Sequence, residues 1–214
     1  MTSLYVFDLD GTLLTKNISY EFAIFLFRRK YLSLSKILYA VFILLLKKVH
    51  FLSFDRFYNL LFKKMLKGFS LDFLEKESSI FCQQFHNTFL YHPVWNLLLK
   101  CVKEKQDYIV LTASPHFLIA KFLSLHKIQS YQGSMLHTDQ MGIIRGIDLL
   151  MNGENKKKWI IQLSSNKKIK KKDVWFYSDS IDDRPCFVFV GHPIVVRPSF
   201  RLLIVSFFKK WTSI

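Results

Sequence analysis

Apolar and polar positions divide the chain into three stretches. Residues 4–9, "LYVFDL", are mainly apolar, the pattern of a short buried strand, and Asp10 follows. From about Asn17 to Tyr91 the pattern changes to long Phe- and Leu-rich helical runs with basic punctuation: "YEFAIFLFRRK", "LSKILYAVFILLLKK" and "FDRFYNLLFKKMLKG". Gly68 reads as a helix stop, and Ser70 as the cap of a fourth helix, "LDFLEKESSIFCQQFHNTF". Beyond His92-Pro93, helix and strand alternate. "VWNLLLKCVKEK", "PHFLIAKFLSLH" and "KKKWIIQLSS" read as helices, and "DYIVLTAS", "DVWFYSDS", "CFVFVG" and "PIVVR" as strands. "YQGSMLHTDQMGIIRGID" reads as a hairpin. This alternation predicts an α/β fold with a mostly parallel sheet covered on both faces. The domains expected are a core of residues 1–16 and 92–214 and an all-helical insert of residues 17–91.

Composition narrows the class. With 214 residues, 50 % hydrophobic and 22 of them Phe, the chain is long and apolar enough to bury a sizeable core. A formal charge of +15 favours anionic partners: nucleic acid, an acidic membrane face or phosphorylated substrates. Cys82, Cys101 and Cys186 are odd in number and widely spaced, which fits reduced thiols. No cleavable signal peptide precedes the first strand, so the chain is expected in the cytoplasm, with peripheral contact at the inner membrane face if it meets lipid. The longest apolar run, "ILYAVFILLL", lies between Lys36 and Lys47-Lys48; it falls short of the roughly 20 residues needed to span a bilayer.

The polar residues at three strand ends carry the chemistry, because ligands of open α/β sheets bind beyond the strands' carboxyl ends. Asp8 and Asp10 fall on one side of the first strand, and Gly11 and Thr12 allow a tight turn with local hydrogen bonding. Two convergent carboxylates suit a hard cation such as Mg2+, or an aspartate nucleophile with a second Asp as acid/base. An ordinary Asp-Gly turn is the alternative. Thr112-Ala113-Ser114 offers a hydroxyl and backbone N–H groups for phosphate oxygens, or else a plain helix cap. In "NGENKKKWII", Lys156 opens a helix from which its ammonium can balance carboxylates, with Lys157 and Lys158 as rivals. In "WFYSDSIDDRP", Asp179, Asp182 and Asp183 crowd a strand end and repel one another unless a cation intervenes.

Together "DLDGT", "LTASP", "GENK" and "YSDSIDD" resemble the four ordered motifs of the haloacid dehalogenase superfamily, in its subfamily IB, the phosphoserine-phosphatase-like branch. "GHPIVVRP" is similar to that branch's closing strand, so the likeness spans most of the chain. It implies a Rossmann-like core with a helical C1-type cap, and a Mg2+-dependent phosphomonoester hydrolase working through an aspartyl-phosphate. By this resemblance Asp8 is the nucleophile and Asp10 the acid/base. Thr112, Ala113 and Lys156 bind the phosphoryl group. Asp8, Asp10 (through its carbonyl) and Asp179 hold Mg2+, and Asp183 supports them. Departures from the phosphoserine phosphatases argue against free phosphoserine as substrate: Gly11 follows Asp10, the second motif reads "TAS", and Asn17 stands where those enzymes place a cap glutamate, with Glu21 out of register.

The insert points elsewhere. Its 11 Lys+Arg against 5 Asp+Glu, a net +6, and its apolar run suit an anionic bilayer and a lipid phosphate. Its composition resembles that of the membrane-associated phosphatidylglycerophosphate phosphatases. Three alternatives stand beside this reading: cap helices that bury their apolar faces on each other, a soluble phosphatase for a small metabolite, and a non-enzymatic basic binder of membrane or nucleic acid. The run "NKKIKKKD" lacks the interleaved aromatics of a nucleic-acid site, so no nucleic-acid partner is expected. Four histidines, His116, His126, His137 and His192, lack metal-ligand spacing. The C-terminal "FRLLIVSFFKKW" can dock on the core or on lipid. Oligomeric state is left open.

Overall fold

A computed structural model describes residues 3–49 and 51–214. The first strand, β1 (Leu4–Phe7), leads through a turn into four helices: α1 (Ile18–Arg28), α2 (Leu34–Lys48), α3 (Phe54–Met65) and α4 (Leu71–Phe85). Asn17, Ser53 and Ser70 start α1, α3 and α4, each accepting a hydrogen bond from a first-turn N–H. Gly68, at φ +92°, lies in the turn between α3 and α4. The expected insert is thus four helices long, although the fourth ends at Phe85, before "HNTF".

The alternating part follows as α5 (His92–Lys103), β2 (Asp107–Pro115), α6 (His116–Leu125), β3 (Tyr131–Thr138), β4 (Ile144–Leu149), α7 (Gly153–Asn166) and β5 (Val174–Ser178). It closes with α8 (Arg184–Phe189), β6 (His192–Val195), α9 (Phe200–Lys209) and β7 (Thr212–Ser213). The sheet order is β4-β3-β2-β1-β5-β6-β7, parallel throughout except for the β3–β4 hairpin. This is a Rossmann-like α/β fold with a helical cap.

One expected strand is a helix. "CFVFVG" reads as a buried strand, but residues 184–189 form α8. Pro185 sits in its first turn, where a missing N–H costs nothing, and Cys186 and Phe187 bury against α7 and β5. A short apolar run is ambiguous between the two states.

Register places the site. Phe7 stands level with Val110 of β2 and Tyr177 of β5, so Asp8, Thr112 and Asp179 all emerge within two residues of one line across the sheet. Alternation separates two cores. Leu4 and Val6 pack with Ile160, Phe187 and Leu202 on the α7–α9 face. Phe7 and Leu9 pack with Trp95, Leu98, Phe122 and the cap on the other. Each large side chain so buried contributes roughly 1.5–3 kcal/mol. Asp8 continues the Leu4–Val6 parity and therefore emerges on the face that α7 covers.

Candidate active site

Lys156, in the first turn of α7, donates to Asp8 Oδ1 at 2.7 Å and to Asp183 Oδ2 at 2.8 Å. The three residues are 4, 5 and 3 % exposed, so this charge cluster is sealed from solvent. Gly153 makes the approach possible: a side chain there would overlap the carbonyl of Asp182. The neighbouring lysines face away, Lys157 toward Glu154 (3.7 Å) and Lys158 toward Asn155 (3.3 Å). Ser178 donates to the same Asp183 oxygen at 2.7 Å.

Asp179 is fixed by Thr12, whose Oγ1 donates to its Oδ1 at 3.1 Å and accepts from its N–H at 3.0 Å. Sequence suggests a local bond for Thr12; its partner lies 167 residues away, because β1 and β5 are neighbours. Gly11, at φ +82°, turns the chain so closely over the Asp179 carboxylate that any side chain at position 11 would collide with it.

Asp10 faces the cap. Its Oδ1 accepts from the Ile18 N–H at 2.7 Å, and its Oδ2 from Thr112 Oγ1 at 3.0 Å and Ser114 Oγ at 2.7 Å. Ser19, in the first turn of α1, bonds Ser114 at 2.6 Å. The carboxylate therefore ties the start of the cap to the end of β2. Thr112 is no helix cap, since Pro115 holds that position before α6. The Ala113 carbonyl accepts from Ser134 Oγ at 2.7 Å. Thus Asp8, Asp10, Thr112, Lys156, Asp179 and Asp183 share one crevice. Thr12, Ser114 and Ser178, inside the motifs, and Ser19, just beyond the first of them, complete it.

Four carboxylates face one lysine, and the electrostatics follow. Burial raises Asp8 well above the usual carboxylate range, with Lys156 opposing and Asp183, Asp179 and Asp10 adding to the rise. Burial and Asp183 push Asp179 up to about 6. Burial raises Asp10 as well, against its hydrogen bonds from Ser114, Ile18 and Thr112. Burial works against a charged Lys156, but Asp183 and Asp8 outweigh it and its pKa rises. Such an excess of buried negative charge fits a divalent cation. Among the described residues no three His, Cys, Asp or Glu side chains form a metal-holding group. The carboxylates of the crevice available to such a cation are those that Lys156 does not fully neutralise, Asp8 and Asp179, whose rise comes from burial and from neighbouring carboxylates.

Beside this polar floor lies an apolar cavity of about 160 Å³. Its walls include Phe22 and Leu26 of α1, Leu44 of α2, and Phe57 and Leu61 of α3, and Asp10 and Ser114 stand at its polar end. Tyr20 and Tyr58 line it too, and burial and the charge of Asp10 raise the pKa of both phenols. Asn17 caps α1 at Tyr20 N (3.0 Å), and Glu21 pairs with Lys16 (3.0 Å).

Residues 5–187 match the family model for haloacid dehalogenase-like hydrolases. No curated protein matches by sequence. Among solved structures, a protein of unknown function from Bordetella pertussis Tohama I superposes with TM-score 0.82 at 20 % identity, covering 100 % of this chain and 99 % of that one. A probable phosphoserine phosphatase from Vibrio cholerae gives 0.72 at 12 %, covering 100 % and 60 %. A phosphoserine phosphohydrolase-like protein from Francisella tularensis subsp. tularensis SCHU S4 gives 0.68 at 14 %, covering 99 % and 94 %. At these identities the likeness is one of fold.

Proposed function

Because the chain belongs to the haloacid dehalogenase-like hydrolase family, and so is a hydrolase, we propose that it cleaves phosphomonoesters with Mg2+ and that its substrate is a lipid phosphate at an anionic membrane surface. Asp8 attacks the phosphorus in line, and the bond to the leaving oxygen breaks as Asp10 gives that oxygen its proton. The raised pKa of Asp10 suits this acid role. Asp10, now a carboxylate, then takes a proton from the water that opens the aspartyl-phosphate on Asp8 and frees phosphate. When substrate binds, the Thr112 hydroxyl turns its proton from Asp10 to the phosphoryl oxygens, which the Ala113 N–H and Lys156 also hold, while Asp183 keeps Lys156 aimed at Asp8. Mg2+ held by Asp8, Asp179 and the Asp10 carbonyl would neutralise the charge of the transferring group.

The observation that carries the lipid reading is the position of Asp10, bonded into the polar floor and lining the apolar cavity. The group that leaves from Asp10 enters apolar surroundings. A phosphoserine ammonium would find Asn17 committed to a helix cap and Glu21 to Lys16.

The test is phosphate release, with and without Mg2+, from phosphatidylglycerophosphate and phosphatidate in vesicles and from phosphoserine in solution. Preference for the lipid esters, lost in Asp8→Asn, is expected. Preference for phosphoserine would favour a soluble metabolite phosphatase instead.

A further inference from the structure

α2 has two apolar faces. Its inner face packs Ile37 and buries Ile43, and Ala40 and Leu44 line the cavity. On its outer face Leu34, Leu38, Val41, Phe42, Leu45 and Val49 are each 49–61 % exposed. Their spacings of 4, 3, 1, 3 and 4 residues follow the helical repeat, so they form one continuous stripe. Phe51, just beyond, is 77 % exposed. A stripe of this kind on a water-facing helix marks an interaction surface.

Basic residues flank the stripe. Arg28 and Lys30 precede α2, Lys48 ends it, and Lys63 and Lys64 stand exposed on α3, which packs against it; Arg29 is taken up by Glu77 at 2.9 Å. Lys64 reaches back over the ring of Tyr39 on α2 at 5.5 Å. A second copy of the chain docking through this face would bring two such rims together, and like charges oppose that arrangement. An anionic bilayer meets both demands: acyl carbon for the stripe, and lipid phosphates for the rim. At 15 residues α2 is about 22 Å long, enough to lie in the interface. Among the described residues no helix is long and apolar enough to cross a membrane.

We propose that the outer face of α2 docks on anionic bilayers, so that one helix is at once the membrane contact and a wall of the cavity leading to Asp10. The purpose of the docking rests on the lipid-phosphate reading; the docking itself does not. Lys47, at the end of α2, donates to Asp182 at 2.9 Å. The docked helix is thereby pinned to the loop that carries Asp183, and the route from bilayer to phosphoryl site stays within the cap.

The experiment uses the full chain and two vesicle populations, phosphatidylcholine alone and phosphatidylcholine mixed with phosphatidylglycerol. Wild type should co-sediment with the mixed vesicles only, and added salt should weaken it. Leu38→Gln/Phe42→Gln should bind at least ~10-fold more weakly, while melting and hydrolysing p-nitrophenyl phosphate like wild type. Lys63→Glu/Lys64→Glu, which leaves the stripe intact, should also weaken binding. Absence of wild-type binding, or unchanged binding in both variants, would overturn the proposal. So would a wild-type dimer that Leu38→Gln/Phe42→Gln converts to monomer, since the stripe would then belong to a second copy. If p-nitrophenyl phosphate is not hydrolysed but the vesicle results hold, the docking stands and the phosphatase reading fails.

Discussion

Lys156 in the floor of the site and Lys47 in the cap above it each bind an aspartate of the same loop, yet they differ in kind. Lys156 is sealed, held by two carboxylates, one of which Ser178 also engages. Lys47 is partly exposed and makes a single ion pair with Asp182. The same contrast runs through both regions. The floor joins four distant segments by short hydrogen bonds, so each group has one place to be. α2 in the cap fully buries only Ile43 and leaves Leu34, Leu38, Val41, Phe42 and Leu45 exposed. Rigid positioning at the floor serves phosphoryl transfer, which depends on geometry and charge. Under the lipid-phosphate proposal, a roof with little packing of its own suits a substrate whose other end is apolar and long.

The largest effects should come from breaking the floor. Asp8→Asn removes the proposed nucleophile and should lower kcat by at least ~10³-fold in steady-state phosphate release. Its circular dichroism should stay that of wild type, because Asn still accepts from Lys156. Asp10→Asn should lower kcat by ~10²–10⁴-fold. Because the amide oxygen still accepts from Ile18 N, the cap should stay attached, and the variant separates acid/base chemistry from cap anchoring.

Sharpening the cap side gives smaller numbers. Ala40→Phe fills part of the cavity wall. It should leave p-nitrophenyl phosphate hydrolysis within ~2-fold and shift selectivity from long-chain to short-chain lipid phosphates by roughly 10-fold, read as a ratio of kcat/KM. An unchanged ratio would mean that the leaving group lies outside the cavity.

The same contrast decides what was legible in the chain. Chemistry dictates the floor: Asp8, Asp10, Thr112, Lys156 and Asp179 sit at strand and helix ends in short motifs, and the crevice that gathers them follows from parallel strands. Thr12 was misread because its partner, Asp179, depends on which strands become neighbours. α8 was misread because "CFVFVG" is apolar in either periodicity, and Pro185 permits a helix start. The cavity was not legible at all. α2 is apolar around most of its circumference, so the pattern cannot say which face meets the protein; only packing against α1 and α3 decides that Ala40 and Leu44 turn inward.

The floor's excess negative charge gives the finest test, through stability. Asp179 titrates near 6 in the fold against 3.8 for a free carboxyl, so the folded state binds its proton more tightly than the unfolded state does. Its contribution is fully present below pH 3.8 and is lost as pH rises through about 6. Asp8 and Asp10, also raised, act in the same direction. Lys156, raised above an already high value, stays protonated in both states and adds no slope between pH 5 and pH 8. Metal-free protein should therefore melt higher at pH 5 than at pH 8, with Mg2+ restoring stability at pH 8. Asp179→Asn keeps an acceptor for Thr12 and removes one repelled charge. It should raise the metal-free melting temperature at pH 8 by roughly 2–4 °C, flatten the pH dependence and blunt the response to Mg2+. A variant that melts lower at pH 8 and still responds fully to Mg2+ would show that Asp179 stabilises the fold through its bond to Thr12 and has no part in holding the cation.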